Sequence, residues 1–490
     1  MDMEARTKAM MVEAEKIGVD RFTRWLEGHG GRMNPNFHYA QDVKMGLSIF
    51  TSSDMEPDIE AISVPKSCCI TANLASRQIL SFVGQSQKGA TDIFTGKEWI
   101  VFYLFLHRLV SQFELGPDLT DEKDLDTQRK RARLDQPDLN SCLLHGPYVD
   151  LLPEEILTPL HYCIEELKLL QSTPLYGHAI ESRRNGRKSC IKAVKWLLSH
   201  LQTKREASDE VTKLINVLQI PQSLDCKEES DDTTDLSKEV ENWDFDEDVW
   251  SVVTIWRWAE TAYGSRAFPP RLLGENATDK GSAPVLIPGL DSFNHARKAK
   301  VTWTWHTSPT EHITLTLHQA LSKYDQVFNS YGPKSNEDLL ASYGFVNEGM
   351  EDDTVTLKLG GTSLHGQVPK QHYWKYGQGC PSGLLEEVMA ALRHSRDAQQ
   401  TEEKESSDMA EQLMEEGEAM DTIVQLLEHK IHSFESAQKD IDANVDSSSV
   451  RNSVRDNVNI YRHGQIRILR LALLQSQKRM DDIEQQLEEN

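Results

Sequence analysis

Residues 4–27 have the composition of a helix and stop at the tetrapeptide GHGG, a glycine-rich helix end. The pattern then shortens. VKMGLSIF (43–50) and IEAISVPK (59–66) are brief, carry β-branched residues and flank the polar stretch TSSDMEPD, which predicts an antiparallel pair. Helical periodicity takes over from Glu98 to about Arg205, broken by two loops. Residues 222–248 are acidic and poor in apolar side chains, which predicts a mobile insertion. A helix returns in VWSVVTIWRWAETAYGSRAF, and two strands follow. In KVTWTWHT, Val301, Trp303 and Trp305 share one face; in HITLTLHQA, Ile313, Leu315 and Leu317 do the same. Both tryptophans read as core. From about residue 383 the chain is helical to residue 490, with charged connectors expected at 396–410 and 436–456. Ile466, Leu469, Leu473, Met480, Ile483 and Leu487 keep a three/four spacing broken by Ser476, the stripe of a helix packed in a bundle. Strands at both ends of a helical middle predict an α+β chain.

Composition narrows the classes of function. Among 490 residues, 77 are acidic and 53 basic, a formal charge of −24. That balance argues against direct nucleic-acid binding, which needs clustered Lys and Arg, and suits a basic partner. The seven cysteines (Cys68, Cys69, Cys142, Cys163, Cys190, Cys226 and Cys380) form no C-x-x-C pair, which fits reduced thiols and no zinc cluster. The first eighteen residues are charged from Asp2 and lack the apolar core of a secretory signal. The longest apolar run, WIVFYLFLHRLV (99–110), falls short of the roughly 20 residues of a membrane span. It predicts a buried helix. The expected setting is cytoplasmic, with a nuclear presence open; the basic run Arg129–Arg133 reads as a solvated loop before a nuclear-import signal.

The segment LIPGLDSFNH (286–295) places Asp291, Asn294 and His295 within five positions after an apolar run. A turn stabilised by Asp and Asn is the plain reading; an Asp291/His295 metal pair is the alternative, since i and i+4 share a helix face. Further motifs bear on the choice. GSRAF (264–268), GLDSFNH (289–295) and NSYGPKSNEDLLASYGFV (329–346) lie in that order, with FTRWLEGHGG and GPYVDLLPEEILTPLHYCIEEL before them. Together they resemble the SET-domain protein methyltransferases of the Rubisco large-subunit lysine methyltransferase class. The resemblance covers roughly 20–350 and implies a SET fold of short strands interrupted by a helical insert at about 98–255. A helical substrate-binding-like domain over 355–490 would follow.

The same resemblance implies S-adenosyl-L-methionine as cofactor, no metal, and a protein substrate whose lysine is methylated, a ribosomal or other basic soluble protein. It places Asn294 and His295 at the cofactor, where the chain passes under another segment in a pseudo-knot. Gly46 and Leu47 match the strand turn that offers backbone to the methionine moiety, and Arg266 matches an arginine at the cofactor cleft. Asp291 and Phe345 would line the substrate side. Tyr343 matches the tyrosine whose hydroxyl meets the reacting amine, with Tyr331 and Phe345 walling the passage. Two positions depart from the pattern: Lys44 stands where a glycine is usual, and Ser292 where a methionine is usual. Both bear on the shape of the cofactor pocket. Protein-histidine methylation and a non-catalytic SET-fold binding module are the competing readings.

Overall fold

The computed structural model describes residues 3–86, 93–113, 138–201, 209–221, 250–275, 282–359, 370–397 and 409–489. The acidic stretch 222–248, the basic run at 129–133, Cys226 and most of the connector at 396–410 lie outside the described residues. The described chain divides into two compact units, one within 1–156, 183–234 and 244–332, the other within 157–182 and 333–490.

The first unit opens with helix α1 (Met3–Gly28), as the composition predicts. Its core is a four-stranded antiparallel sheet in the order β1 (Arg32–Met33), β4 (Ile59–Pro65), β6 (His312–Leu317), β5 (Val301–His306). A separate hairpin joins β2 (Phe37–Asp42) to β3 (Gly46–Thr51). The two expected late strands are thus present. Ile313, Leu315 and Leu317 are buried, and Val301, Trp303 and Trp305 pack half-buried against the core.

The expected pairing of 43–50 with 59–66 is not what forms. Strand β3 pairs with β2, and β4 lies between β1 and β6. The reason is local. Asp42 Oδ1 accepts the backbone N–H groups of Lys44 and Met45, both at 2.8 Å, and Gly46 has φ +70°, so the chain reverses immediately before β3. Beyond β3 the chain is held by later residues: Thr51 N–H donates to the Asp325 carbonyl and Met55 N–H to that of Leu321.

Helix α2 (Ala72–Val83) precedes the helical insert, which opens with α3 (Gly96–Gln112), continues through α4 (Pro174–Leu201) and α5 (Asp209–Val217) and ends with α6 (Val252–Arg266). Helix α3 starts on a capping box: Thr95 accepts from Glu98 N–H, and Glu98 accepts from Thr95 N–H. Every side chain from Trp99 to Leu106 is buried, so the long apolar run is a core helix. No described helix is long and apolar enough to cross a membrane. Cys68, Cys69, Cys142, Cys163, Cys190 and Cys380 are free thiols.

The second unit holds α7 (Asn336–Tyr343), a hairpin of β7 (Thr354–Lys358) and β8 (Gln371–Lys375), and helices α8 (Ser382–Asp397), α9 (Met409–Asn444) and α10 (Asn452–Glu489). The hairpin corrects the expectation of an all-helical C-terminal domain. Val355, Leu357 and Trp374 are buried with the helices, so this small sheet is part of their core. The connector expected at 436–456 is also shorter, because α9 continues to Asn444 with Ala437 and Ile441 buried. On α10, Leu469 and Ile483 are buried and Ile466, Leu473, Met480 and Leu487 pack against them; the stripe is core, and its interruption, Ser476, is buried too. Packing places α7 with this unit, ahead of the boundary expected near 350. The carboxylate of Glu337 accepts from Tyr461 at 2.7 Å and from Thr356 at 2.9 Å, tying the helix to α10 and β7.

Candidate functional site

Two segments of the first unit cross. Residues 285–296 run past Ile70 and Phe268, then meet 329–331: Asn329 N–H donates to the Asn294 carbonyl at 2.7 Å, and Ala296 N–H to the Asn329 carbonyl at 2.9 Å. The crossing needs a sharp entry, which Gly289 provides at φ +87°. A Cβ there would stand 2.8 Å from Ile62 Cδ1, so another residue would strain the backbone and displace that buried side chain. A 3-10 turn, Leu290–Ser292, follows.

At the crossing the side chains of Asn294 and His295 are held by hydrogen bonds. Asn294 Nδ2 donates to Ser48 Oγ at 2.8 Å, which ties the pair to strand β3 two residues after Gly46. His295 Nδ1 accepts the backbone N–H of Tyr331 at 3.0 Å, which places the ring proton of a neutral imidazole on Nε2. The Tyr331 ring stacks on His295 with centroids 5.0 Å apart, and its hydroxyl donates to the Phe293 carbonyl at 3.2 Å. The structure therefore brings Asn294, His295 and Tyr331 together at one crossing and ties it to β3 at Ser48, the residue that follows Gly46 and Leu47 in the strand.

Arg266, the last residue of α6, meets the same segment from another side. Its Nη1 donates to the Asp291 carbonyl and to Asp291 Oδ2, both at 3.1 Å. Burial acts to lower the guanidinium pKa, but Asp291 and the neighbouring tyrosine oxygens raise it further, so the cation persists. Asp291 was expected to line the substrate side. Its side chain is only 1% exposed and is committed internally: Oδ1 accepts Gly289 N–H at 3.0 Å, and Oδ2 accepts Tyr148 Oη–H at 2.8 Å besides the arginine. The turn role that Asp favours is real, and a pairing role is added to it. No group of three or more potential metal ligands stands together among the described residues.

Tyr343 and Phe345 belong to the second unit, where their rings lie 6.1 Å apart. Burial raises the Tyr343 hydroxyl above its ordinary pKa, with Asp338 adding to the effect, so it stays protonated. Gly344 between them closes α7 at φ +77° against the Leu157 backbone, which fixes where both rings emerge.

Sequence reasoning missed Ser48, Tyr39, Tyr148 and Asn329. Tyr39 donates to Ser292 Oγ at 3.1 Å, so the serine that departs from the usual methionine gains a partner of its own. Burial pushes the Tyr39 hydroxyl well up. Asn329 is fully buried; its Oδ1 accepts Ser330 N–H at 2.8 Å, while its Nδ2 has no hydrogen-bond partner among the described residues. Nε of Arg266 is a second such donor. Unused buried donors cost free energy unless something accepts from them; Asn329 belongs to the crossing itself, and Arg266 meets its segment at Asp291. A ligand carrying a carboxylate and heteroaromatic nitrogens, such as S-adenosylmethionine, fits this donor-rich set.

No protein-family model matches the chain. It is similar to protein-lysine N-methyltransferase EFM1 of Saccharomyces cerevisiae, 24% identical over 359 residues, which are 71% of this chain and 53% of that protein. It is 36% identical over 115 residues to ribosomal lysine N-methyltransferase set10 of Schizosaccharomyces pombe, a stretch of 24% of this chain and 20% of the other. The chain spans about half or less of the length of the curated relatives it matches. The crystal structure of the SET domain of LSMT bound to MeLysine and AdoHcy superposes with a TM-score of 0.60 at 16% identity, covering 96% of this chain and 93% of the other. The fold is that of the LSMT SET-domain structures, the fold that the three motifs lead one to expect.

Proposed function

We propose that a chain with this SET-domain fold acts as an S-adenosylmethionine-dependent protein-lysine N-methyltransferase. The observation that carries the reading is the crossing, which holds Asn294, His295 and Tyr331 in one hydrogen-bonded unit beside β3. Support comes from the similar proteins, two of which are named as lysine methyltransferases, and from the LSMT structure named with methyl-lysine and AdoHcy.

When bound, S-adenosylmethionine supplies a methyl group on a sulfonium sulfur. Asn294, His295 and the backbone of Gly46 and Leu47 would hold the cofactor, and Arg266 Nε would be a donor for its carboxylate. Tyr331 is the tyrosine that the crossing itself fixes. Its hydroxyl donates to the Phe293 carbonyl at 3.2 Å, which fixes the direction of the phenol at the crossing. We therefore assign the reacting hydroxyl to Tyr331, where the resemblance gave it to Tyr343, and move Tyr343 to the wall of the lysine passage, where the resemblance puts Phe345. A lysine has an ordinary pKa of about 10.4, and an apolar passage lowers it by disfavouring the ammonium. Alignment of amine, methyl and sulfur would supply most of the rate enhancement.

The substrate class we propose is a ribosomal or other basic soluble protein, which the formal charge of −24 would attract. The place of action we propose is the cytoplasm, on the strength of the free thiols. Calorimetric titration with S-adenosylmethionine tests the reading. Binding is expected in the wild type and is weakened about a hundredfold or more in Asn294→Ala/His295→Ala, since each lost buried bond costs about 1–3 kcal/mol. Equal affinity in a folded double variant overturns it.

A further inference from the structure

We infer that Tyr148, contributed by the helical insert, is a positioning residue that holds Asp291 so that Arg266 keeps donors free for the cofactor. The inference rests on the methyltransferase reading above and concerns a motif, GPYVDLLPEE, to which that reading gives no task.

Tyr148 sits in a single helical turn, Gly146–Val149, with Pro147 in its first positions. It is 1% exposed, and its ring packs against Phe22 of α1 at 6.3 Å, which leaves the hydroxyl one direction. That direction is Asp291 Oδ2, 2.8 Å away and 143 residues along the chain. Burial first, and Asp291 second, raise the phenol pKa well above its ordinary value, so Tyr148 donates throughout the working pH range.

The consequence concerns how an arginine meets a carboxylate. Left to itself the pair favours a fork, two parallel N–H···O bonds that use two guanidinium nitrogens. Here Asp291 Oδ1 is taken by Gly289 N–H, and Oδ2 is shared with the Tyr148 hydroxyl. Arg266 therefore bonds through Nη1 alone, to Oδ2 and to the Asp291 carbonyl, and Nε remains a buried donor without a partner among the described residues. Removing the Tyr148 hydroxyl opens a lone pair on Oδ2. A second guanidinium nitrogen can then donate to that lone pair and is withdrawn from the ligand.

The experiment is calorimetric affinity for S-adenosylmethionine, with steady-state kinetics, in wild type, Tyr148→Phe, Arg266→Lys and the Tyr148→Phe/Arg266→Lys pair. Tyr148→Phe is expected to raise the cofactor Kd about five- to tenfold, the worth of one buried hydrogen bond. The kcat at saturating cofactor should stay within about twofold, the signature of lost binding without lost transition-state stabilisation. In the Arg266→Lys background the same change should move Kd by less than about twofold, because the residue it acts through is gone. A purely structural tyrosine would weaken both backgrounds alike. That equal loss, or an unchanged Kd in Tyr148→Phe, overturns the inference while wild-type binding leaves the methyltransferase reading standing. Absence of binding in the wild type overturns both. If Tyr148→Phe fails to fold, Asp291→Asn in the same two backgrounds decides by the same criterion.

Discussion

Tyr331 and His295 are held face to face: the tyrosine backbone N–H donates to the imidazole Nδ1 at 3.0 Å, and the rings stack 5.0 Å apart at 24°. One residue proposed to touch the cofactor thus sets the position of one proposed to touch the substrate amine. A change at either is felt by the other.

The tyrosines can be separated by removing single oxygens. Tyr331→Phe keeps the stacking ring and loses the hydroxyl, so folding should be little affected. Turnover should fall about a hundredfold or more, since removing a polar group aimed at the transition state costs roughly 3–4 kcal/mol. Tyr343→Phe should be milder or should change how many methyl groups are added. Rates with a lysine substrate and mass analysis of the product check both; the opposite order would return the reacting hydroxyl to Tyr343.

Ser48 gives a graded test of the Asn294 bond. Ser48→Ala removes the acceptor at 2.8 Å but leaves the amide in place. Cofactor affinity should drop by about 1 kcal/mol, roughly five- to tenfold, and by clearly less than in Asn294→Ala. Titration of the two variants side by side checks the order; equal losses would mean that Ser48 binds ligand itself.

Gly344→Ala should damage the second unit without any polar loss. A Cβ at that position would lie 2.7 Å from both C and O of Leu157, and φ is +77°. The left-handed conformation alone costs roughly 1–2 kcal/mol for a residue with a side chain, and the backbone clash adds to it. A melting temperature within one degree of wild type would contradict this packing.

His145 predicts an acid-side loss of stability. Burial pushes its pKa down from 6.5 to about 4, while Tyr103 Oη lies 3.0 Å from Nδ1. Between those values the unfolded chain binds the proton and the folded one does not, so the contribution is absent above pH 6.5 and grows as pH falls towards 4. At pH 5 it amounts to about 2 kcal/mol. Half-buried Glu337 and buried Asp353, whose carboxyl pKa values are raised by desolvation, act in the opposite sense. The readout is therefore the difference between wild type and His145→Gln: melting from pH 7.5 to 5 should fall less steeply in the variant. Equal slopes would contradict the assignment.

How much of this was legible in the sequence depended on the distance over which each feature is encoded. Strands β5 and β6 were legible because their alternation and their partner are both local. The β3 and β4 segments were recognised as strands, yet their pairing was not, because alternation marks a strand and is silent about its neighbour. The hairpin at 354–375 was missed because its strands are short and polar enough to pass for connector. In the site, Asn294 and His295 stood out through their motif. Tyr148 and the burial of Asp291 did not, since their bond joins residues 143 positions apart and no local pattern encodes it.

The central claim is transfer of a methyl group to lysine at the Asn294–His295–Tyr331 crossing. The most direct measurement incubates the purified protein with S-adenosylmethionine carrying a labelled methyl and a ribosomal-protein extract, then hydrolyses the labelled protein to amino acids. Label in ε-N-methyl-lysine, present with wild type and lost with Asn294→Ala/His295→Ala, is the predicted result. Label in methyl-histidine, or no label while the protein binds the cofactor, would contradict it.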